Sequence, residues 1–181
     1  MGAAQKLSGI NNSFPSRDRM GAVLGPRNGP VNKHPALIYT TNSEEETIAL
    51  GRSLAAAALP AAGLVLLIGN LGAGKTTLAK GIVEERGVAQ RDEVSSPTFT
   101  LIHEYGDPPR VYHIDLYRLD AARQAANLGI DDLLLDAKAL VLIEWGERFP
   151  ELWPADRTEI RIERHPDGDQ RTFDVRATNE S

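Results

Sequence analysis

An α/β fold, with a mainly parallel central sheet flanked by helices and antiparallel hairpins added to it, is what this sequence predicts. Three stretches carry the prediction. Gly69-Asn70-Leu71-Gly72-Ala73-Gly74-Lys75-Thr76 fits G-x-x-x-x-G-K-[ST], the phosphate-binding loop of nucleotide triphosphatases. Leu64–Ile68 runs apolar directly before it, as a strand buried on both faces of a parallel sheet does. Ala139–Ile143 is a second such run, ended by Glu144 and Trp145. Average residue frequencies produce the loop pattern by chance in about one chain in a hundred of this length. Here Leu78 and Ile82 follow it four apart on one helical face. Strand, loop and helix is the setting a phosphate site needs, because the helix N-terminus adds its dipole to the loop.

Each residue of the loop has a chemical reason. Gly69 permits a sharp turn after the strand, and Gly74 lets backbone approach a ligand with no Cβ in the way. Asn70, Leu71, Gly72 and Ala73 supply the intervening N–H groups of an anion nest. Lys75 is a point charge for the β- and γ-phosphates, and the Thr76 hydroxyl is placed to bind Mg²⁺. Glu144 belongs at the carboxyl end of its strand, since a charge inside a core is costly. There it would face the magnesium as the second metal-binding acid.

The 181 residues are enough for one domain with a tail. With no cysteine, disulfides and thiolate metal sites are excluded. No apolar run reaches membrane-spanning length, no secretory h-region opens the chain, and Lys6 spoils the myristoylation pattern begun by Met1-Gly2. The reading is a cytoplasmic protein without membrane contact. Residues 1–35 hold five basic groups and one acidic group, net +4, which leaves −9 for the rest of a chain of net charge −5. Such an acidic body is poorly suited to hold a polyanion, so any nucleic acid would be held by a partner.

Along the chain, residues 1–35 are rich in Gly, Pro, Asn and Ser without apolar periodicity and read as a disordered tail before a domain spanning 36–178. Ala36–Thr40 is the first strand. Ser43-Glu44-Glu45-Glu46 is a capping box opening a helix that should reach Leu59, with Ile48, Leu50 and Leu54 on its apolar stripe. Arg86-Gly87 stops the loop's own helix. Ser95-Ser96-Pro97-Thr98 then reads either as a hydroxyl-lined turn or as a switch that senses the γ-phosphate. Phe99–Tyr105 and Arg110–Asp115, joined by Gly106–Pro109, form a hairpin ending in Asp115 at the sheet edge where ligands gather. Asp120–Asn127 and Asp131–Leu135 are short helices, Phe149–Pro154 is a loop anchored by aromatics, and Trp145 packs at the strand end. Thr158–Glu163 and Thr172–Arg176 alternate as a closing hairpin around Pro166-Asp167-Gly168-Asp169.

Four blocks in this order carry a family resemblance: residues 69–77, Ser96-Pro97-Thr98-Phe99-Thr100, His113-Ile114-Asp115-Leu116-Tyr117-Arg118-Leu119, and Leu142-Ile143-Glu144-Trp145. With Leu128-Gly129-Ile130 they resemble the TsaE (YjeE) family of bacterial P-loop ATPases over about residues 37–176. The resemblance implies a role in forming N6-threonylcarbamoyladenosine (t6A) at position 37 of tRNA, with ATP and Mg²⁺ as ligands. It implies the TsaD–TsaB pair as partner, tRNA being met only through that complex. It also implies weak ATP hydrolysis by the chain alone and turnover that resets the complex. Carried over by position, Gly69 to Thr77 resembles the phosphate cradle, and Thr76 and Glu144 resemble the magnesium ligands. Thr98 resembles part of a switch, and Asp115 an acid required for hydrolysis. Thr41 and Glu44 match a region bordering the nucleotide. Two positions depart from the family pattern: Asn70 stands where Asp is usual, and Arg123-Gln124-Ala125-Ala126 stands where acidic residues are common.

The expected chemistry is therefore ATP hydrolysis, with Lys75 spreading the γ-phosphoryl charge and Asp115 positioning or deprotonating water. Two other readings share the same loop: a small-molecule kinase, and a nucleotide-gated adaptor without turnover. A GTPase is disfavoured because no N-K-x-D follows the loop.

Overall fold

The computed structural model describes residues 36–108 and 110–178, so the reading of residues 1–35 as a tail lies outside the described residues. Its seven strands are β1 (Leu37–Thr41), β2 (Gly63–Ile68), β3 (Ile102–Tyr105), β4 (Val111–Asp115), β5 (Leu140–Glu144), β6 (Arg157–Arg164) and β7 (Arg171–Thr178). They form one sheet in the order β1-β7-β6-β2-β5-β4-β3. The four central strands, β6, β2, β5 and β4, run parallel, and antiparallel pairs extend the sheet at both ends. The predicted fold class is the observed one.

Period-two alternation explains why β2 and β5 read as unbroken apolar runs. Val65, Leu67, Leu140 and Leu142 enter one core, under helices α1 (Glu44–Ala57) and α2 (Lys75–Glu85). Leu64, Leu66, Val141 and Ile143 enter the other. The short helices α3 (Ala122–Ala126) and α4 (Ile130–Leu134), with Phe149 and Trp153, cover that second face. A strand buried on both sides has no polar face to display.

Several local expectations shift, each for a visible reason. Strand β3 begins at Ile102 and not at Phe99, because the Leu101 N–H donates to Pro97 O at 2.6 Å and folds residues 97–101 into a turn. Leu101 takes a left-handed φ of 68° there. Helix α1 stops at Ala57 and not at Leu59, since the N–H groups of Ala58 and Leu59 both return to Leu54 O and Pro60 follows. The capping box is half as expected: Ser43 Oγ accepts from the Glu46 N–H at 3.1 Å, but the Glu46 carboxylate accepts from the Asn42 N–H at 2.7 Å, one residue beyond the cap. The helix predicted over Asp120–Asn127 is confined to α3, and the loop expected over Phe149–Pro154 contains a 3₁₀ turn, Pro150–Leu152, preceded by another at Gly146–Arg148.

Helices α1 and α2 touch through glycine. A Cβ on Gly81 would stand 2.0 Å from Ile48 O, and one on Gly51 would stand 2.4 Å from Leu78 O. Both obstacles are backbone, so no side chain can swing aside. This contact holds the helix that carries the phosphate loop. We expect Gly81→Ala to lower stability by about 1–3 kcal/mol through overpacking, against a helix-propensity gain of at most about 1 kcal/mol. Urea denaturation measures the difference, and a more stable variant would show that the two helices part freely.

Candidate functional site

Strand register builds the site before any side chain is considered. In the parallel ladder Asp115 of β4 pairs with Glu144 of β5, which pairs with Leu67 of β2. Two carboxylates thus stand side by side at the carboxyl edge of the sheet, next to the loop that leaves β2. Both are buried, Asp115 2% and Glu144 3% exposed. Carboxylates in such places need donors, and each has them.

Glu144 Oε1 accepts from the Thr76 hydroxyl at 2.7 Å and lies 2.8 Å from His113 Nε2. Because a carboxylate oxygen accepts, this contact is a hydrogen bond in the tautomer with the His113 proton on Nε2. The other ring nitrogen, Nδ1, is buried without a partner. Asp115 is bound on both oxygens. Its Oδ2 accepts from Ser96 Oγ at 2.8 Å and Thr98 Oγ1 at 2.5 Å, and its Oδ1 accepts from the Tyr117 N–H at 2.8 Å. The Ser95–Thr98 segment is thereby latched to the sheet edge through hydroxyls.

The phosphate loop ends in Gly74, which takes φ 111° as the N-cap of α2 and leaves the first turn of that helix without a side-chain cap. Lys75 is buried at 4% exposure. Its ammonium donates to Gly69 O at 2.7 Å and Asn70 O at 3.0 Å, and lies 3.9 Å from the centroid of the Trp145 ring. Burial lowers the Lys75 pKa, opposed by the nearby charges of Glu144, Glu147 and Asp115. Trp145 does more than pack: its left-handed backbone (φ 64°) turns the ring over the ammonium, with Tyr117 5.0 Å away on its other contact.

A cavity of about 340 Å³ joins these groups. Of the expected residues it takes in Leu71, Gly72, Gly74, Lys75, Thr76, Thr77, Thr98, Asp115 and Glu144. Asn70 and Ala73 face a neighbouring cavity of about 480 Å³, shared with Arg164 and His165. Thr41 and Glu44 are not brought in. Thr41 is buried with its hydroxyl 2.8 Å from that of Thr47, and Glu44 is exposed, 3.7 Å from Lys80. Gly69 lines neither cavity; its carbonyl serves Lys75.

Sequence reading named Ser96 only within a turn-or-switch segment, and missed His113, Tyr117, Trp145 and Arg171 as members of the site. Ser96 and His113 lie inside the blocks quoted above, so their neighbourhood was legible. Arg171 starts a strand far along the chain and left no local signal.

The geometry can now be set beside known proteins. The family model for TsaE, "Threonylcarbamoyl adenosine biosynthesis protein TsaE", matches residues 41–173. The chain belongs to the TsaE family. The tRNA threonylcarbamoyladenosine biosynthesis protein TsaE of Bacillus subtilis is 38% identical over 135 residues, covering 74% of this chain and 82% of that protein. The protein of the same name from Streptomyces coelicolor is 43% identical over 119 residues, 64% of this chain and 77% of that one. Among solved structures, the crystal structure of Bacillus subtilis YdiB aligns with a TM-score of 0.62 at 33% identity, covering 81% of this chain and 90% of that one. The segment matched to the TsaE family contains every residue of the 340 Å³ cavity. Among the described residues no helix is long and apolar enough to cross a membrane.

Glu147, two residues past Trp145, adds a measurable signature. Burial raises its pKa, opposed by hydrogen bonding with backbone and by the charges of Lys75 and Arg161. One carboxyl oxygen is buried without a partner. A raised folded-state value means the native protein holds its proton where the unfolded chain has lost it. Stability therefore falls as pH rises from the ordinary carboxyl range up through the raised value. We expect Glu147→Gln to flatten that decline, so that its advantage over the parent grows with pH across the window. Equal pH dependence of the two in urea titrations would place Glu147 in water.

Proposed function

We propose that the chain is an Mg²⁺-dependent ATPase that serves t6A formation at tRNA position 37, acting with a TsaD–TsaB complex and resetting it by hydrolysis. The observation that carries the reading is the 2.7 Å contact between Thr76 Oγ1, on the phosphate loop, and Glu144 Oε1, on a strand 68 residues away. A hydroxyl and a carboxylate meeting at the mouth of an anion nest are hard oxygen donors, the type Mg²⁺ takes. Among the described residues no cluster of three or more His, Cys, Asp or Glu could hold a metal alone. An ion on Thr76 and Glu144 would thus draw most of its shell from phosphate and water. When bound it supplies charge neutralisation for the transferring phosphoryl group.

The protein's own residues do the rest. The uncapped N–H groups of α2 and the loop amides bind phosphate oxygens. The two hydrogen-bond acceptors of Lys75 are neutral carbonyls, so a polyphosphate is the stronger partner on offer. His113 fixes the Glu144 carboxylate from behind, as outer-shell groups fix a metal ligand. Asp115 orients or deprotonates water. Its Oδ1 keeps one acceptor site for water beside the Tyr117 N–H, and release of Ser96 or Thr98 would free another on Oδ2. Thr41 and Glu44 remain at the border of the nucleotide region and not in its phosphate cavity. The acidic body leaves tRNA to the partner complex, and a cytoplasmic location fits that work.

One observation favours a second reading. With Ser96 and Thr98 both on Oδ2, that oxygen of Asp115 is filled in the latched state and only one acceptor site is left, on Oδ1 beside the Tyr117 N–H, an arrangement that suits a nucleotide-gated adaptor without turnover. The two readings separate on one variant. In an ATPase, Asp115→Asn keeps ATP affinity within a few-fold and lowers turnover by about 10²-fold or more, measured with TsaD and TsaB present. Lys75→Ala raises the ATP dissociation constant about tenfold or more. In reconstituted t6A synthesis, omission of this chain lowers multiple-turnover product. Absence of any ATP turnover, with or without the partner pair, would give the site to the adaptor.

A further inference from the structure

On the nucleotide-site reading above, we propose that Arg171 is a phosphate ligand, placed at the α-phosphate end of the nucleotide across the cavity from Asp115. Arg171 opens β7 and lines the same cavity as Lys75 and Thr76. Its side chain is 9% exposed, and its Nε is buried without a hydrogen-bond partner. Its Nη1 donates to Asp169 O at 2.8 Å, and its ion pair with the Asp169 carboxylate is stretched to 4.0 Å while that carboxylate engages Arg164 at 2.9 Å. A nine-tenths buried guanidinium with a free N–H and a shared, distant counter-charge is poorly compensated.

Its position points at the phosphate loop. A Cβ on Gly74 would lie 3.1 Å from both Cδ and Nε of Arg171, so the side chain is laid across the glycine that caps α2. That backbone is the anion-binding terminus, and the orphan N–H lies beside it.

Topology decides which end of a nucleotide it meets. Two strands to one side of β2 lies β4, with β5 between them, so Asp115 and Glu144 stand on that side. Two strands to the other side lies β7, with β6 between them. If the metal ligand and the water-directing acid mark the γ end, the α-phosphate and nucleoside lie toward β6 and β7. The larger, 480 Å³ cavity opens on that same side, between Asn70 and the β6–β7 turn residues Arg164 to Gly168. Lys75 then serves the distal phosphates and Arg171 the proximal one. A planar guanidinium suits this task, because it can grip an anion while still packing against backbone.

The test uses the full chain, with ADP and a non-hydrolysable ATP analogue as probes. Saturating ¹⁵N-labelled protein with ADP should shift the Arg171 Nε–Hε resonance, and adenosine at the same concentration should not. Arg171→Gln should raise the dissociation constants of ADP and of the analogue by the same factor, about tenfold or more, with the melting temperature of the free protein little changed. Arg171→Lys should recover part of the loss. An Nε resonance unmoved in ADP-saturated wild type overturns the proposal even if the Gln variant does not fold. So does wild-type ADP affinity in Arg171→Gln, or a loss confined to the ATP analogue, which would make Arg171 a γ-phosphate contact. Wild-type protein that binds no ADP would overturn the nucleotide reading and this inference together, whereas binding with Arg171 silent overturns this inference alone.

Discussion

The contact on which the site depends is the one between the Thr76 hydroxyl and the Glu144 carboxylate, 2.7 Å long and drawn from residues 68 positions apart. It exists because β2 and β5 are parallel neighbours in one register, so the loop after one strand opens beside the last residue of the other. A register slip of one residue would turn Glu144 to the opposite face of the sheet and bury its charge in a hydrocarbon layer. The unbroken apolar runs of β2 and β5 therefore do two things. They bury the centre of the sheet on both faces, and they hold Thr76 and Glu144 together at its edge.

The same register sets Asp115 beside Glu144, and two buried carboxylates in neighbouring strands must be kept from repelling one another. The structure separates their partners. Glu144 takes His113 and Thr76, while Asp115 takes Ser96, Thr98 and the Tyr117 N–H. Five donors converge on two acids without a single donor being shared. The division matters functionally, because only the Asp115 set involves a loop. Its hydroxyls can be exchanged for water or phosphate without disturbing the sheet, whereas the Glu144 set is anchored in a strand and in the first turn of a helix.

What was legible in the sequence was whatever is encoded locally. The phosphate loop, the runs over Leu64–Ile68 and Ala139–Ile143, and the alternating closing strands each fit in a window of about ten residues, and periodicity is the primary signal at that scale. The Phe99–Leu101 part of the turn was misread as strand because Phe99 and Thr100 favour β structure in isolation. A carboxylate from β4, distant in sequence, captures the hydroxyls of Ser96 and Thr98 and overrides that preference. Arg171 was invisible for the same reason in reverse. Nothing near it in sequence says that β7 lies beside β6, or that its side chain crosses Gly74. Trp145 was placed correctly at a strand end but given too small a role, since its left-handed backbone is what aims the ring at Lys75.

The charges in the cavity argue for an anionic ligand more strongly than any one of them does. Lys75 is buried against carbonyls and an aromatic face, and burial lowers its pKa even though three acids lie near enough to oppose the shift. Arg171 is buried with an unsatisfied N–H. The acids relieve Lys75 only in part, and neither Glu144 nor Asp115 is hydrogen-bonded to it or to Arg171. A fold that buries cations with only partial compensation carries a desolvation penalty. A polyphosphate would offer both cations a charged acceptor at once, and on the proposed function its binding free energy would include relief of that penalty. By linkage the same binding stabilises the folded chain. On the proposed function, the nucleotide would complete an electrostatic arrangement that the protein alone leaves open.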